Sequence, residues 1–231
     1  MVLRQKSLVE LAVVELQQLI YSGKYLSGER LLEEQLSEQL GISRSPLREA
    51  LRILAQRGIV EQLPRRGVRV VSLSEQEILE IYSLREALER FAVELAFPNP
   101  DPEGILVMKQ ALVAMNRAAK TKDHGQIVQS NRDFHIALIK LSSHKRLLQT
   151  YVGLMDQMQL CMSNNLRAEN ITAGDYKDGV YRHVVLLEAI EEGDLNNVLS
   201  ALASHGARGI NAKPSQTYYY SPGSNSVLIN K

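Results

Sequence analysis

The sequence predicts a mainly α-helical protein: three helices and a small β-hairpin at the N-terminal end, then an all-α helical bundle. Three observations carry this. Apolar residues recur at helical spacing along most of the chain. The β-branched runs Ile59-Val60 and Val68-Val70-Val71 flank the turn Pro64-Arg65-Arg66-Gly67, which is a hairpin pattern. From Glu75 onward no strand pattern recurs, and the helical segments are cut by Pro and Gly.

Ser7 to Ser22 forms the first predicted helix, with Leu8, Leu11, Ala12, Leu16, Leu19 and Ile20 on one stripe and Gly23 ending it. A loop over 24–29 follows. Arg30 is open to two readings, a phosphate contact or a surface ion pair. Glu33 to Leu40 is a second short helix, with Leu32, Leu36 and Leu40 aligned and Gly41 suited to its left-handed end. After a four-residue turn comes a third helix, with Ser45 as expected N-cap and Pro46 at the first helical position. Leu47, Ala50, Leu51 and Leu54 give it a buried face, Arg48 and Arg52 share another, Arg44 stands just ahead, and Gly58 stops it. Seven arginines lie between Ser43 and Arg69, against Glu49 and Glu61. A basic helix alone is usually a solvated face. Preceded by a short helix and a tight turn, and followed by a basic hairpin, it is the pattern of a winged helix-turn-helix that meets double-stranded DNA.

The stretch LSGERLLEEQLSEQLGISRSPLREALRILAQRGIVEQLPRRGVRVV resembles the N-terminal domain of the GntR family of bacterial transcription regulators. The match runs without a gap over about residues 7–73, and SRSPLREAL…L…G…RRG is its specific part. The resemblance implies base and phosphate contacts from the turn and recognition helix at Ser43, Arg44, Ser45 and Arg48. It implies a wing tip at Arg65, Arg66 and Gly67. One short recognition helix reads few base pairs, so a homodimer on a near-palindromic operator is expected.

Ser72-Leu73-Ser74 reads as the linker, with Ser74 and Glu77 forming a capping box. Glu75–Ala96 is expected as a long helix with Ile81, Leu84, Leu88, Phe91, Ala92 and Leu95 turned inward, broken by Pro98, Pro100 and Pro102. Further helices are expected over Glu103–Thr121, Gly125–Leu141, Lys145–Leu166, Gly179–Glu192 and Leu195–Ala212, with a looser stretch around Gly174. That makes a six-helix bundle. The tail from Pro214 to Lys231 is rich in Ser, Asn, Gly and Tyr and has no helical period. The expected organisation is therefore 1–73 for DNA binding, 74–213 for effector binding and dimerisation, and 214–231 as a tail.

With 231 residues, 45% apolar and 23% charged, the chain is long enough for two globular domains. It has no run of 18 apolar residues and no signal-peptide pattern, so a cytoplasmic, nucleoid-associated bacterial protein with no membrane partner is expected. The lone Cys161 excludes an intrachain disulfide and reads as a packing residue. The net charge of +1 hides an asymmetry, because residues 1–73 carry 11 Lys/Arg against 8 Asp/Glu. A basic head on a mildly acidic body fits a DNA reader joined to something else.

Five histidines occur: His124, His135, His144, His183 and His205. Asn131 and His135 share a helix face at i and i+4. His183 and His205 lie in apolar stripes of the last two helices. Three inward histidines can meet only in a bundle core, either as ordinary core residues or as a metal site. Asp133 falls on the wrong face of its helix to join them. The landmarks IYSLREALE, NRDFHIAL…S and YRHVVLLEAIEEGD…H make residues 76–212 similar to the FCD effector domain of FadR-type GntR regulators. In the metal-binding members an Asp four residues before the first His joins three histidines. The resemblance implies ligands at Asn131, His135, His183 and His205, with Zn or Ni as the expected divalent metal. Asn131 departs from the pattern: an amide oxygen can coordinate but brings no charge, so metal should be held less tightly and an incoming anion more strongly. FadR itself lacks these histidines and binds an acyl-CoA, so they argue against that ligand.

Arg85, near Tyr82, is a candidate carboxylate clamp for a small organic-acid effector; an ion pair with a glutamate such as Glu89 is the competing role. The leading function is a ligand-responsive regulator, most simply a repressor, with no enzymatic activity. Two rivals remain at this level. A three-His metalloenzyme would turn over candidate acids, but no general base stands near the histidines. A DNA binder with a purely structural metal would show no small-molecule effect on DNA affinity.

Overall fold

The computed structural model describes residues 7–173 and 176–206. The element order is α1 (Leu8–Tyr21), β1 (Arg30–Leu31), α2 (Glu33–Leu40), α3 (Arg44–Gln56), β2 (Val60–Leu63), β3 (Gly67–Val70), α4 (Glu75–Ala96), α5 (Pro102–Thr121), α6 (His124–Lys140), α7 (Lys145–Ala173), α8 (Lys177–Glu192) and α9 (Leu195–Gly206). Mainly α architecture with a winged N-terminal unit and a helical bundle is what the sequence predicts. Gly174, the expected end of the last helix at Ala212, and the tail 214–231 lie outside the described residues.

Ser7 starts α1 through a capping box: its hydroxyl accepts from the Glu10 amide at 3.1 Å, and its own amide donates to the Glu10 carboxylate at 2.7 Å. The buried stripe is Ala12, Val13, Leu16, Ile20 and Tyr21, rotated from the expected one, and Leu8 and Leu11 are exposed. Gly41, at φ 63, closes α2 in the left-handed region that glycine adopts without strain. The recognition helix begins earlier than expected. Ser43, not Ser45, is the N-cap residue, and Pro46 falls at the third helical position. Proline is tolerated there because none of the first-turn amides has an intrahelical partner.

The hairpin forms as predicted, β2 pairing antiparallel with β3 in a register that sets Val60 opposite Val70. The sequence reading missed β1, which pairs with the other edge of β3 so that Arg30 faces Arg69. Arg30 also donates to the Arg66 carbonyl, which ties this strand to the wing's turn. The apolar faces of α1, α2, α3 and the sheet meet in one core around Leu16, Leu36, Leu47, Leu51, Leu54 and Val70.

That core does not end at the linker. Val128 of α6 and Leu160 of α7 are buried in it. Tyr21 donates to the Asp156 carbonyl at 3.1 Å, Ser163 donates to the Tyr21 carbonyl at 2.9 Å, and Gln17 donates to the Asp156 carboxylate at 3.2 Å. Gly58, at φ 70, sits so close to α7 that a Cβ there would stand 2.5 Å from the Gln157 amide nitrogen. The winged unit is therefore seated on α6 and α7.

Ser74 and Glu77 form the predicted capping box at the start of α4. The inward face of α4 differs from expectation. Ile81 and Ala92 are buried as predicted, but Leu84, Phe91 and Leu95 are 47%, 45% and 45% exposed. Tyr82, Arg85, Glu89, Val93 and Ala96 point inward instead. An arginine and a glutamate can be buried here because they neutralise each other and share further polar partners. Asp101 caps α5, with Pro102 at its first position. Cys161 is buried, and desolvation pushes its thiol up to about 12, which fits a packing role. Among the described residues no helix is long and apolar enough to cross a membrane.

Candidate metal centre and nucleic-acid interface

His135 comes from α6, His183 from α8 and His205 from α9, each on the inward face of its helix. All are buried, at 1%, 3% and 8% exposure. One ligand nitrogen from each lies within 4.8 Å of the others. The ring centroids of His183 and His205 are 4.4 Å apart, and Phe134 packs edge-on against both His135 and His183. Three imidazoles from three helices do converge.

The outer nitrogens of His183 and His135 are held so that each inner nitrogen carries its ring's lone pair, while His205 Nδ1 has no partner. His183 Nδ1 donates to the Gly179 carbonyl at 2.7 Å, so its Nε2 carries the lone pair. Glu89 Oε1 lies 2.9 Å from His135 Nδ1 and accepts that proton. His135 Nε2 and His205 Nε2 stand 3.2 Å apart. Two nitrogens each about 2.0–2.1 Å from one ion, at angles between square and tetrahedral, are separated by about 2.9–3.4 Å. Desolvation, helped by the neighbouring charges, lowers all three imidazole pKa values, His183 and His205 far below the ordinary value. Burial thus favours the neutral form of the rings, the form a metal ligand needs.

Asn131 lies 8% exposed beside them, with its amide nitrogen 2.9 Å from His183 Nε2 and its Oδ1 buried without a partner. Turning the amide about its last torsion would place the oxygen at that 2.9 Å position instead, and the two assignments differ only in hydrogen bonding. Among the described residues, the buried side-chain polar atoms without a partner are Asn131 Oδ1, His205 Nδ1 and Arg182 Nε. The first two belong to residues of this centre. The donor set and its orphaned atoms fit a divalent metal.

Arg85 is at the centre, but not as a free clamp. Its Nε donates to Glu89 Oε1 at 2.8 Å, and its Nη2 lies 2.7 Å from His135 Nε2. Tyr151 of α7 donates to the same Glu89 oxygen. Burial by itself would raise the Glu89 carboxyl, but Arg85 first and then His135 hold it well below the ordinary carboxylate range. The competing role for Arg85, the ion pair with Glu89, is thus realised. Tyr82 stacks near it, 6.0 Å from ring centroid to guanidinium carbon. Tyr151 was not singled out from sequence, and Glu89 only as the competing ion-pair partner of Arg85. The signal for Glu89 was its place four residues after Arg85. Asp133 pairs with Gln129 on the outer side, as its helical position required.

At the other end of the molecule, Ser43, Arg44, Ser45 and Arg48 are exposed at the start of α3, and Arg65, Arg66 and Gly67 are exposed at the wing tip. Arg65 takes a positive φ of 61 in the turn. Arg44 pairs with Glu34 at 3.6 Å and Arg48 with Glu33 at 2.8 Å, so the recognition helix borrows its countercharges from α2. Exposed pairs of this kind contribute about 0–1 kcal/mol.

Comparison with known proteins agrees with both halves. Residues 8–70 match the family described as bacterial regulatory proteins, gntR family, and residues 80–208 match the FCD domain. The HTH-type transcriptional regulator YdhC of Bacillus subtilis (strain 168) is 32% identical over 162 residues, 68% of this chain and 72% of that protein. The gluconate operon transcriptional repressor of Bacillus licheniformis is 32% identical over 190 residues, 81% of this chain and 77% of that protein. Among solved structures, Escherichia coli McbR/YncC superposes with a TM-score of 0.72 at 26% identity, covering 87% of this chain and 94% of that one. The chain belongs to the GntR family of bacterial transcription regulators, in the FadR-type branch whose winged helix is joined to an FCD domain.

Proposed function

We propose that this protein is a homodimeric transcriptional repressor whose helical domain holds a divalent metal and releases DNA in response to a small organic acid. The observation that carries the reading is the gathering of three buried imidazoles, with two unpartnered polar atoms beside them, at one centre. His135, His183, His205 and Asn131 would hold the metal, with Zn and Ni favoured by imidazole donors. Bound there, it would supply a Lewis-acidic attachment point for a carboxylate. Arg85, and Tyr82 beside it, would line the same space. Glu89 keeps Arg85 neutralised and orients His135.

Asn131 and His135 sit on α6, and Tyr151 sits on α7. Both helices also seat the winged unit, through Val128, Asp156, Leu160 and Ser163. A ligand that favours one arrangement of α6 and α7 would therefore bias where the DNA heads of a dimer stand. The assigned parts are 1–73 for DNA, 74–213 for the effector and the dimer contact, and 214–231 as a tail. A regulator of this kind works in the cytoplasm, on the nucleoid.

The test is to select bound duplexes from a random pool and then titrate operator binding with small carboxylates, with and without metal. Carboxylate-dependent release that needs the metal supports the reading; indifference to every acid rejects it. The DNA interface makes its own prediction. Arg65→Ala or Arg66→Ala should weaken binding to all sequences and lower the salt slope by about one contact. Arg44→Ala or Arg48→Ala should relax base preference, at about 1–3 kcal/mol for a bidentate contact to guanine, with Ser43, Ser45 and Gly67 serving phosphate or backbone approach. Equal losses on operator and random DNA for all four variants would contradict this division.

A further inference from the structure

Arg30, in the two-residue strand β1, stands directly opposite Arg69 of β3, and Glu61 of β2 stands opposite Arg69 from the other side. Cross-strand partners share a sheet face, so two cations and one anion lie in a row across the wing. The anion is already taken, because Arg69 Nε donates to Glu61 Oε1 at 2.7 Å. Like charges directly opposite one another weaken a sheet, so stability alone would not place an arginine at position 30. Arg30 makes no ion pair among the described residues. Its Nη2 reaches along the sheet instead and donates to the Arg66 carbonyl in the wing's turn.

That carbonyl belongs to a turn with little else to hold it. The hairpin's last register pair is Leu63 with Gly67, which leaves Pro64, Arg65 and Arg66 to span the gap. The turn's own hydrogen bond runs from the Arg66 amide to the Leu63 carbonyl at 3.0 Å. Arg65 takes a φ of 61, a left-handed conformation that a residue with a side chain keeps only where its surroundings hold it there. The side chains of Arg65 and Arg66 are exposed and, like Arg30, make no ion pair among the described residues. Three guanidinium groups around one turn, without a carboxylate, work against stability and suit a polyanion.

We propose that Arg30 is a positioning residue for DNA binding: by holding the Arg66 carbonyl it fixes the wing's turn so that the Arg66 side chain meets a phosphate, without itself touching DNA. The proposal rests on the wing reading above and adds the residue that aims the wing.

The experiment uses the full chain on two duplexes of equal length, one selected from a random pool and one unselected, over a series of salt concentrations. Arg30→Ala should weaken binding to both by about tenfold, the scale of one lost charge-assisted contact, and lower the salt slope by about one contact. Arg66→Ala should do the same. The double variant should be within about twofold of either single one, with its slope lowered by about one contact and not two. Arg30→Lys, which keeps a donor on a long side chain, should recover part of the loss. Losses that multiply in the double variant, with a slope lowered by two contacts, make Arg30 a phosphate contact in its own right and overturn the inference. Undiminished binding by Arg30→Ala overturns it too, as does a lowered melting midpoint for that variant, which would make the residue a support of the fold. Undiminished binding by Arg66→Ala overturns the wing reading itself.

Discussion

Purified His183→Ala and His205→Ala proteins are expected to contain no bound metal and to melt about 10 °C below the natural protein in metal-replete buffer. The size follows from linkage. A ligand present at about a thousand times its dissociation constant stabilises the native state by about 4 kcal/mol. For a chain of this length each kcal/mol moves the melting midpoint by about 2–4 °C. Removing a buried imidazole also leaves a cavity, so the melting change alone does not identify a lost metal. A chelator does. It should lower the midpoint of the natural protein and leave the two variants where they are. Asn131→Asp adds an opposite sign: a carboxylate oxygen is a stronger ligand than an amide, so metal should survive longer dialysis, while the added negative charge weakens anion binding. The competing outcome has a structural basis in Arg85, whose Nη2 already donates toward His135 Nε2 at 2.7 Å. If the natural protein holds no metal and ignores the chelator, that hydrogen bond is the resting state of the centre and the histidines are core residues.

The histidines were legible in the sequence because each sits in an apolar stripe of a clear helix, and only a bundle core can receive three such residues. Their supports were legible only as the Arg85–Glu89 pair at i and i+4. Glu89 is an acidic residue in a helix, ordinarily a solvated one, and its burial depends on Arg85, His135 and Tyr151 arriving from three helices. No local pattern encodes that meeting. The two-residue strand β1 is too short to show a period of two and exists through its pairing with β3. The start of α3 was misplaced by two residues because Ser43 and Ser45 are equally good caps by type, and Pro46 fits anywhere in a first turn. The α4 error is of another kind. Leu84, Leu88, Phe91 and Leu95 form the helix's strongest apolar stripe, and the rule that such a stripe faces the core holds only when one core is available. Here the core side took Tyr82, Arg85 and Glu89, a polar set that satisfies itself.

That exposed stripe supplies the second large expected effect: Phe91→Glu should convert the proposed dimer to monomer and sharply reduce operator affinity. Leu84, Phe91 and Leu95 lie at 47%, 45% and 45% exposure on one face of α4, with Leu88 half-buried between them. Four large apolar side chains in a row on a 22-residue helix are poorly matched to water and well matched to the same face of a second copy. In a two-fold interface each substitution is felt twice, so one glutamate per chain places two uncompensated carboxylates in the contact. A loss of about 3 kcal/mol or more weakens association by over a hundredfold. The DNA consequence is larger than any single contact, because each head on its own loses the millimolar effective concentration that its partner confers on the second half-site. Sedimentation at micromolar protein reads the assembly, and binding to full and half operators reads the consequence. Phe91 points away from the Arg85–Glu89–His135 cluster, so bound metal and the helical circular dichroism should be unchanged. A Phe91→Glu protein that sediments as the natural one does would move the dimer contact off this face of α4.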